Sequence, residues 1–237
     1  MGTRFFTPFK GDNYEKGICG KKILVLGASF YCNQDGKGGR TRCKFFEECT
    51  DPLKKDSSMF NETCPYYAKL EGHPKLEDEP TNSIWSYIRA YQNFAKVIIP
   101  FIDVKEKPEG WCDYDIVWDR MAFTDYVQFF LPSKDTYPSY FSKRDFNAFM
   151  ETLRELKPDV VIAWGLPITA EIRDNLENNS IFTDLEKLSE SEHYVCHMRV
   201  AGVDHEITYV SCYHPSSAAY WYNSLDTLSH YLKEVFK

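Results

Sequence analysis

The residues best suited to chemistry sit directly after short apolar runs. Ser29 and Tyr31 follow the run 22–27 (KILVLG), and Thr124-Asp125-Tyr126 stands at the end of the run 120–127. Gly165-Leu166-Pro167 follows the run 159–164, and His214-Pro215-Ser216-Ser217 follows the run 207–212. A serine hydroxyl orients water by hydrogen bonding but is no base near neutral pH. An ionised aspartate accepts hydrogen bonds and donates none. A histidine on a loop just past a core strand is in the kind of place where polar side chains serve ligands. Plainer roles stand beside these: Ser29 as a turn or cap residue, and Asp125 as a structural acceptor or a partner of Arg120.

A second set of candidates lies in the long polar stretch from Ala28 to about Pro80. Lys37, Arg40, Arg42 and Lys44 are interleaved with Gly36, Gly38 and Gly39. Glycines let backbone amides approach a phosphate and the cations neutralise it, although a solvated charge cluster has the same composition. Cys32, Cys43, Cys49 and Cys64 share this stretch and have the ligand number of a four-cysteine zinc site, but no C-x-x-C pair accompanies them. Cys196 and Cys212 fall in strand patterns and read as small buried apolar residues. His193, His197 and His205 read as surface or packing residues, and Trp164 and Trp221 as core.

The elements that must position these residues can be read from periodicity. The core runs 22–27, 120–127, 159–164 and 207–212 are short, apolar and bounded by turn signals, as buried strands are. Helical spacing runs over 83–99, stopped by Pro100, and over 142–156, opened by Ser142 and Asp145 as a capping box. A helix is expected over 166–176, a hairpin over 194–200 and 206–212, and an amphipathic helix over 216–236. Alternating strands and helices predict a mostly parallel sheet with helices on both faces. Ligands of such sheets sit outside the carboxyl ends of the strands, where Ser29, Asp125 and His214 fall.

Length and charge narrow the choices. The chain has 237 residues, enough for one sizeable domain. Its formal charge of −7 excludes a generally basic nucleic-acid coat and leaves room for a local basic groove. The N-terminus has no apolar core of signal-peptide length, and no run is long enough to span a membrane. The expected location is the cytoplasm, where the eight cysteines would stay mostly reduced.

The strand-end segments Gly27-Ala28-Ser29-Phe30-Tyr31, Thr124-Asp125-Tyr126-Val127-Gln128 and His214-Pro215-Ser216-Ser217 resemble, in order and spacing over residues 21–230, the motifs of the uracil-DNA glycosylase superfamily. The resemblance implies a pocket that receives a base flipped out of DNA. It implies that the first segment holds the attacking water at Ser29, with Tyr31 beside the base. The middle segment would read the base edge at Asp125, or Asp125 would act as the missing general base. The histidine of the third, His214, would donate to the base oxygen as negative charge grows on it. Phe45 and Phe46 become candidates for the stacking ring, and Ser216 and Ser217 join the lysine and arginine cluster as phosphate contacts. The chain departs from the family pattern twice: Ser29 stands where an Asp would hold water, and Asp125 where an Asn would read the base.

The expectation is therefore an α/β protein. Its architecture would be a three-layer α/β/α sandwich with a central four-stranded, mostly parallel sheet and a cysteine-rich insert at about 32–64. Its partner would be DNA, single- or double-stranded, with no membrane and no required cofactor. Free thiols, a structural zinc and an iron–sulfur cluster remain open for the insert, in that order. The activity implied is hydrolysis of an N-glycosidic bond. A non-catalytic nucleic-acid- or nucleotide-binding module and a small-molecule nucleoside hydrolase or transferase are the alternatives.

Overall fold

The computed structural model describes residues 4, 6–31, 36, 38, 42, 89–128, 130–131, 141–176, 180–187, 194–220 and 225–236. Its strands are β1 (Phe9–Lys10), β2 (Ile23–Gly27), β3 (Phe30–Tyr31), β4 (Met121–Asp125), β5 (Phe130–Leu131), β6 (Val160–Trp164), β7 (Ser180–Lys187), β8 (Tyr194–Val200) and β9 (Ile207–Cys212). Its helices are α1 (Arg89–Ile98), α2 (Asp113–Asp119), α3 (Lys143–Leu156), α4 (Leu166–Asn175) and α5 (Leu225–Val235).

All four apolar core runs are strands of one sheet, and they lie side by side. The sheet order is β1-β4-β2-β6-β9-β8-β7. β4, β2, β6 and β9 pair in parallel, with Gly27 opposite Asp125, Leu26 opposite Ala163 and Trp164 opposite Cys212. The sheet is larger than the four strands expected. β1 adds an antiparallel edge to β4, and β8 and β7 extend the other side antiparallel from β9. The expected hairpin is β8–β9. β7 carries no strong apolar alternation in sequence; the backbone of β8 recruits it, with a register shift between Thr183 and Glu186.

Alternation along the strands sorts the side chains into two cores. Ile23, Val25, Met121, Phe123, Val160, Ile162, Trp164, Val210 and Cys212 face α1, α2 and α5. Leu24, Leu26, Ala122, Val161, Ala163, Ile207 and Tyr209 face α3 and α4. Period-two alternation with both faces buried explains why these strands read as continuous apolar runs. The Ser142 capping box forms as expected: its hydroxyl accepts from Asp145 N, and the Asp145 carboxyl accepts from Ser142 N. Of the 83–99 helix, the structure describes the part from Arg89. α2, between Cys112 and Arg120, is an addition to the expected elements, because seven residues are too few for a periodic signal. Among the described residues no helix is long and apolar enough to cross a membrane.

Candidate functional site

The chain leaves each central strand by a different device, and together these bring the strand-end residues to one side of the sheet. Past β2, Gly27 O accepts from Tyr126 N at 2.9 Å and Ala28 O from Val127 N at 3.1 Å. The two loops thus stay laddered beyond their strands, and β3 and β5 pair in parallel further out. Ser29, just past β2, and Asp125, the last residue of β4, are held in adjacent segments as a result. Past β6, Gly165 turns the chain at φ 128°, a conformation that favours glycine, and its N–H donates to Cys212 O at 2.8 Å. This bond sets the departure point of the His214 loop.

Asp125 follows Met121 and Phe123 on the α1 side of the sheet, and its residue is 4% exposed. Its carboxyl lies over the Cα of Gly27, where a Cβ would collide with Asp125 Oδ1 and crowd the Phe123 ring. Glycine at 27 is what makes room for the acid. Among the described residues no donor and no cation meets its side-chain oxygens, and Arg120 does not pair with it. Burial alone pushes this carboxyl up to about 8. At neutral pH it is therefore the protonated acid, with one donor and one acceptor. That corrects the acceptor-only expectation drawn from the sequence, and the reason is desolvation without a compensating charge.

His214 is held in one tautomer. Its Nδ1 lies 2.8 Å from Ser216 Oγ and accepts from Ser216 N at 3.3 Å. An Nδ1 that accepts from an amide carries a lone pair, so the ring proton is on Nε2. Burial lowers the imidazole pKa, which keeps the ring neutral. The ring packs edge-on against Trp164, with centroids 5.7 Å apart. Trp164 in turn contacts Phe123 at 5.6 Å and Tyr91 at 5.5 Å. Gly27, Asp125, Phe123, Trp164 and His214 thus form a continuous wall at the carboxyl edge, on the α1 side.

Other expected site residues take positions of their own. The Ser29 hydroxyl is buried and has no hydrogen-bond partner among the described residues. Ser217 Oγ donates to His214 O at 2.8 Å and accepts from Tyr220 N at 3.2 Å. Both Ser216 and Ser217 therefore use their hydroxyls to fix the histidine loop. Tyr31 lies in β3, and Arg42 is exposed. Lys37, Arg40, Lys44, Phe45, Phe46, Cys32, Cys43, Cys49 and Cys64 lie outside the described residues, as do His193 and Trp221. Among the described residues no group of three or more His, Cys, Asp or Glu is arranged to hold a metal ion.

Two residues that support the site carry little signal in the sequence. Asn93, buried on α1, donates from Nδ2 to Pro215 O at 2.9 Å and ties the histidine loop to that helix. Its signal is a polar residue among the apolar positions of the 83–99 helix. Gln128 is buried and donates from Nε2 to Asp125 O at 2.7 Å. Its Oε1 accepts from Phe6 N at 3.1 Å, and its own N–H donates to Asp145 Oδ1 at 2.7 Å. It joins the N-terminal arm, the Asp125 loop and the start of α3. Nothing in the sequence distinguishes it from a surface glutamine.

A cavity of about 410 Å³ opens at the other end of the sheet, lined among others by Lys21, Asp159, His197, His205, Glu206 and Tyr231. Much of its polarity is internally used. His197 Nδ1 lies 3.3 Å from Glu206, His205 Nε2 lies 3.0 Å from Pro158 O, and Asp159 Oδ2 accepts from Lys22 N at 2.7 Å. It sits at the amino ends of β6 and β9, away from the edge where parallel sheets bind ligands. The carboxyl edge, with an uncompensated acid and an oriented imidazole, is the better candidate. Comparison of the sequence with protein-family models and with curated proteins finds no match to either.

Proposed function

We propose that the carboxyl edge of this sheet is a nucleobase pocket of the uracil-DNA glycosylase type, and that the protein hydrolyses an N-glycosidic bond in DNA. The observation that carries the reading is His214. It is a neutral imidazole whose Nδ1 is occupied by Ser216, leaving Nε2–H to donate beside the buried wall of Trp164, Phe123, Gly27 and Asp125.

A neutral N–H donor suits a base that leaves as an anion. It stabilises charge on the base oxygen while keeping its own proton, and a donor fixed in place costs no reorganisation as the bond breaks. Removing one such donor typically slows reaction by about 10²–10³-fold. Ser29 would place the attacking water by hydrogen bonding. Its buried hydroxyl is free to do so. With no base beside it, the reaction would rely on dissociation of the base to make the sugar carbon electrophilic, so that neutral water suffices. The acid at Asp125 offers the donor and acceptor pair that an amide would offer at the same position. Four-strand parallel order and helices on both faces support assignment to this fold, and Arg42 with Lys37, Arg40 and Lys44 would meet the phosphates.

The test is release of free base from single- and double-stranded oligonucleotides carrying uracil, hypoxanthine or a mismatch. Wild type should release base from at least one substrate, and His214→Ala should be about 10²–10³-fold slower. Equal inactivity of both proteins on every substrate removes the enzymatic reading. Salt-sensitive oligonucleotide binding without turnover would then favour the binding module.

A further inference from the structure

Among the described residues, nothing stabilises a charge on the carboxyl group at the base-reading position. The N–H groups nearest in the chain are already engaged: Tyr126 N donates to Gly27 O and Gln128 Nε2 to Asp125 O. Among the described residues, the neighbouring elements on this face contribute Gly27 from β2, with Trp164 from β6 and Tyr91 from α1 packed on the adjoining Phe123 ring, none of them charged. Cys212 and Tyr220, on or after β9, are kept protonated by burial, and His214 is kept neutral. An isolated carboxylate in such a place is strongly disfavoured, and the group is held as the acid. The upward shift of its titration to about 8 has the same cause.

A carboxylic acid differs from an amide in two ways that matter to a bound base. Its proton can sit on either oxygen, so the donor and acceptor exchange places without movement of a heavy atom. It also has a proton that it can give away, which an amide does not. An acid therefore pairs with a lactam edge (N–H beside C=O) and equally with an amidine edge (ring nitrogen beside an amino group).

Resting on the nucleobase-pocket reading, we propose that Asp125 is a catalytic acid that extends the pocket to aminopyrimidines of the cytosine type. Its O–H donates to the unprotonated ring nitrogen, and its other oxygen accepts from the exocyclic amino group. As the glycosidic C–N bond breaks, its electron pair stays on the base, and the Asp125 proton passes to the ring nitrogen. The base leaves neutral, and Asp125 is left as a carboxylate. Water adds its oxygen to the sugar carbon and loses a proton to solvent, and Asp125 is reprotonated from solvent. Nothing is oxidised or reduced. His214 Nε2–H donates to the base carbonyl throughout and keeps its proton. A lactam base such as uracil binds the same acid but has no unprotonated ring nitrogen on that edge to receive the proton, so it leaves as an anion on the His214 donor alone.

Single-turnover release of cytosine and of uracil from single-stranded oligonucleotides tests this, with wild type and Asp125→Asn compared and free-base binding measured for both. Asn has the same shape and carries no burial penalty for charge, so the variant should fold; thermal unfolding checks it. Wild type should release both bases. Asp125→Asn should lose about 100-fold or more on cytosine, in the range of general acid catalysis, and change only a few-fold on uracil. If wild type releases uracil and no cytosine, or if the substitution slows both bases equally, the acid role is overturned and the pocket reading stands. If wild type binds both bases and releases neither, the acid role is overturned and a binding pocket remains. If it neither binds nor releases either base, the pocket reading falls and the inference with it.

Discussion

Replacing Asp125 by Asn should stabilise the protein, and by an amount that depends on pH in a defined way. The carboxyl titrates near 3.8 when exposed and at about 8 in the folded chain. A folded-state value above the unfolded one means that folding favours the protonated form. The stability associated with this group is fully present below pH 3.8 and is lost as pH rises through 8. The gap spans roughly four units at about 1.4 kcal/mol each, so its full value is about 6 kcal/mol. Relaxation and water entry reduce penalties of this kind, and about 2–4 kcal/mol is the expected size. Asn fills the same volume and does not titrate. Asp125→Asn and wild type should therefore be nearly equal at pH 4 and diverge steadily above it. At pH 8–9 the variant should melt roughly 5–15 °C higher, at about 2–4 °C per kcal/mol for a chain of this size. Thermal or urea unfolding of both proteins at several values between pH 4 and 9 measures the difference curve, from which all other titrating groups cancel. Parallel curves across that range, or a variant less stable than wild type at pH 8, would refute the claim that an uncompensated acid is buried over Gly27.

Gly27→Ala places a methyl group against Asp125 Oδ1 and the Phe123 ring, and should cost about 1–3 kcal/mol in the urea midpoint while displacing the acid. Ser216→Ala removes the hydroxyl beside His214 Nδ1 but keeps the Ser216 N–H that donates to it, so the tautomer should hold while the ring is placed less tightly; base release should slow only a few-fold, with little change in melting temperature. Cys196 and Cys212 are buried, and burial lifts the Cys196 thiol to about 12. A thiol reagent should therefore label exposed Cys19 and Cys112 in the native protein, and Cys196 and Cys212 only on unfolding, as peptide mass analysis would show.

The parts of this fold that are legible in sequence are those whose signal is local. The four central strands are buried on both faces, so each appears as a mostly apolar run, and their Gly or polar ends mark where the chain turns. The α3 capping box is a four-residue pattern and is equally plain. β7 is not, because its sequence has no strong apolar alternation, and its place in the sheet is seen in its backbone pairing with β8. At the candidate site, residue types pick out Ser29, Asp125 and His214, since Asp125 ends a strand and the other two stand just past one. What the residue types do not reveal is the protonation state of Asp125. Its charge depends on Gly27, nearly a hundred positions away, and on there being no cation beside it among the described residues. Asn93 and Gln128 are hidden for the same reason: each supports the site through a hydrogen bond to a distant segment.

The central claim is that the base sits at the carboxyl edge between Asp125 and His214. A structure of the protein with an oligonucleotide bearing an abasic site, together with free uracil or cytosine, tests it most directly. The base ring should lie beside Trp164 and Phe123, with His214 Nε2 about 2.7–3.2 Å from the base carbonyl oxygen and the Asp125 carboxyl on the opposite edge. A base bound elsewhere, such as in the cavity lined by Lys21, His205 and Glu206, or bound with His214 turned to present Nδ1, would contradict it.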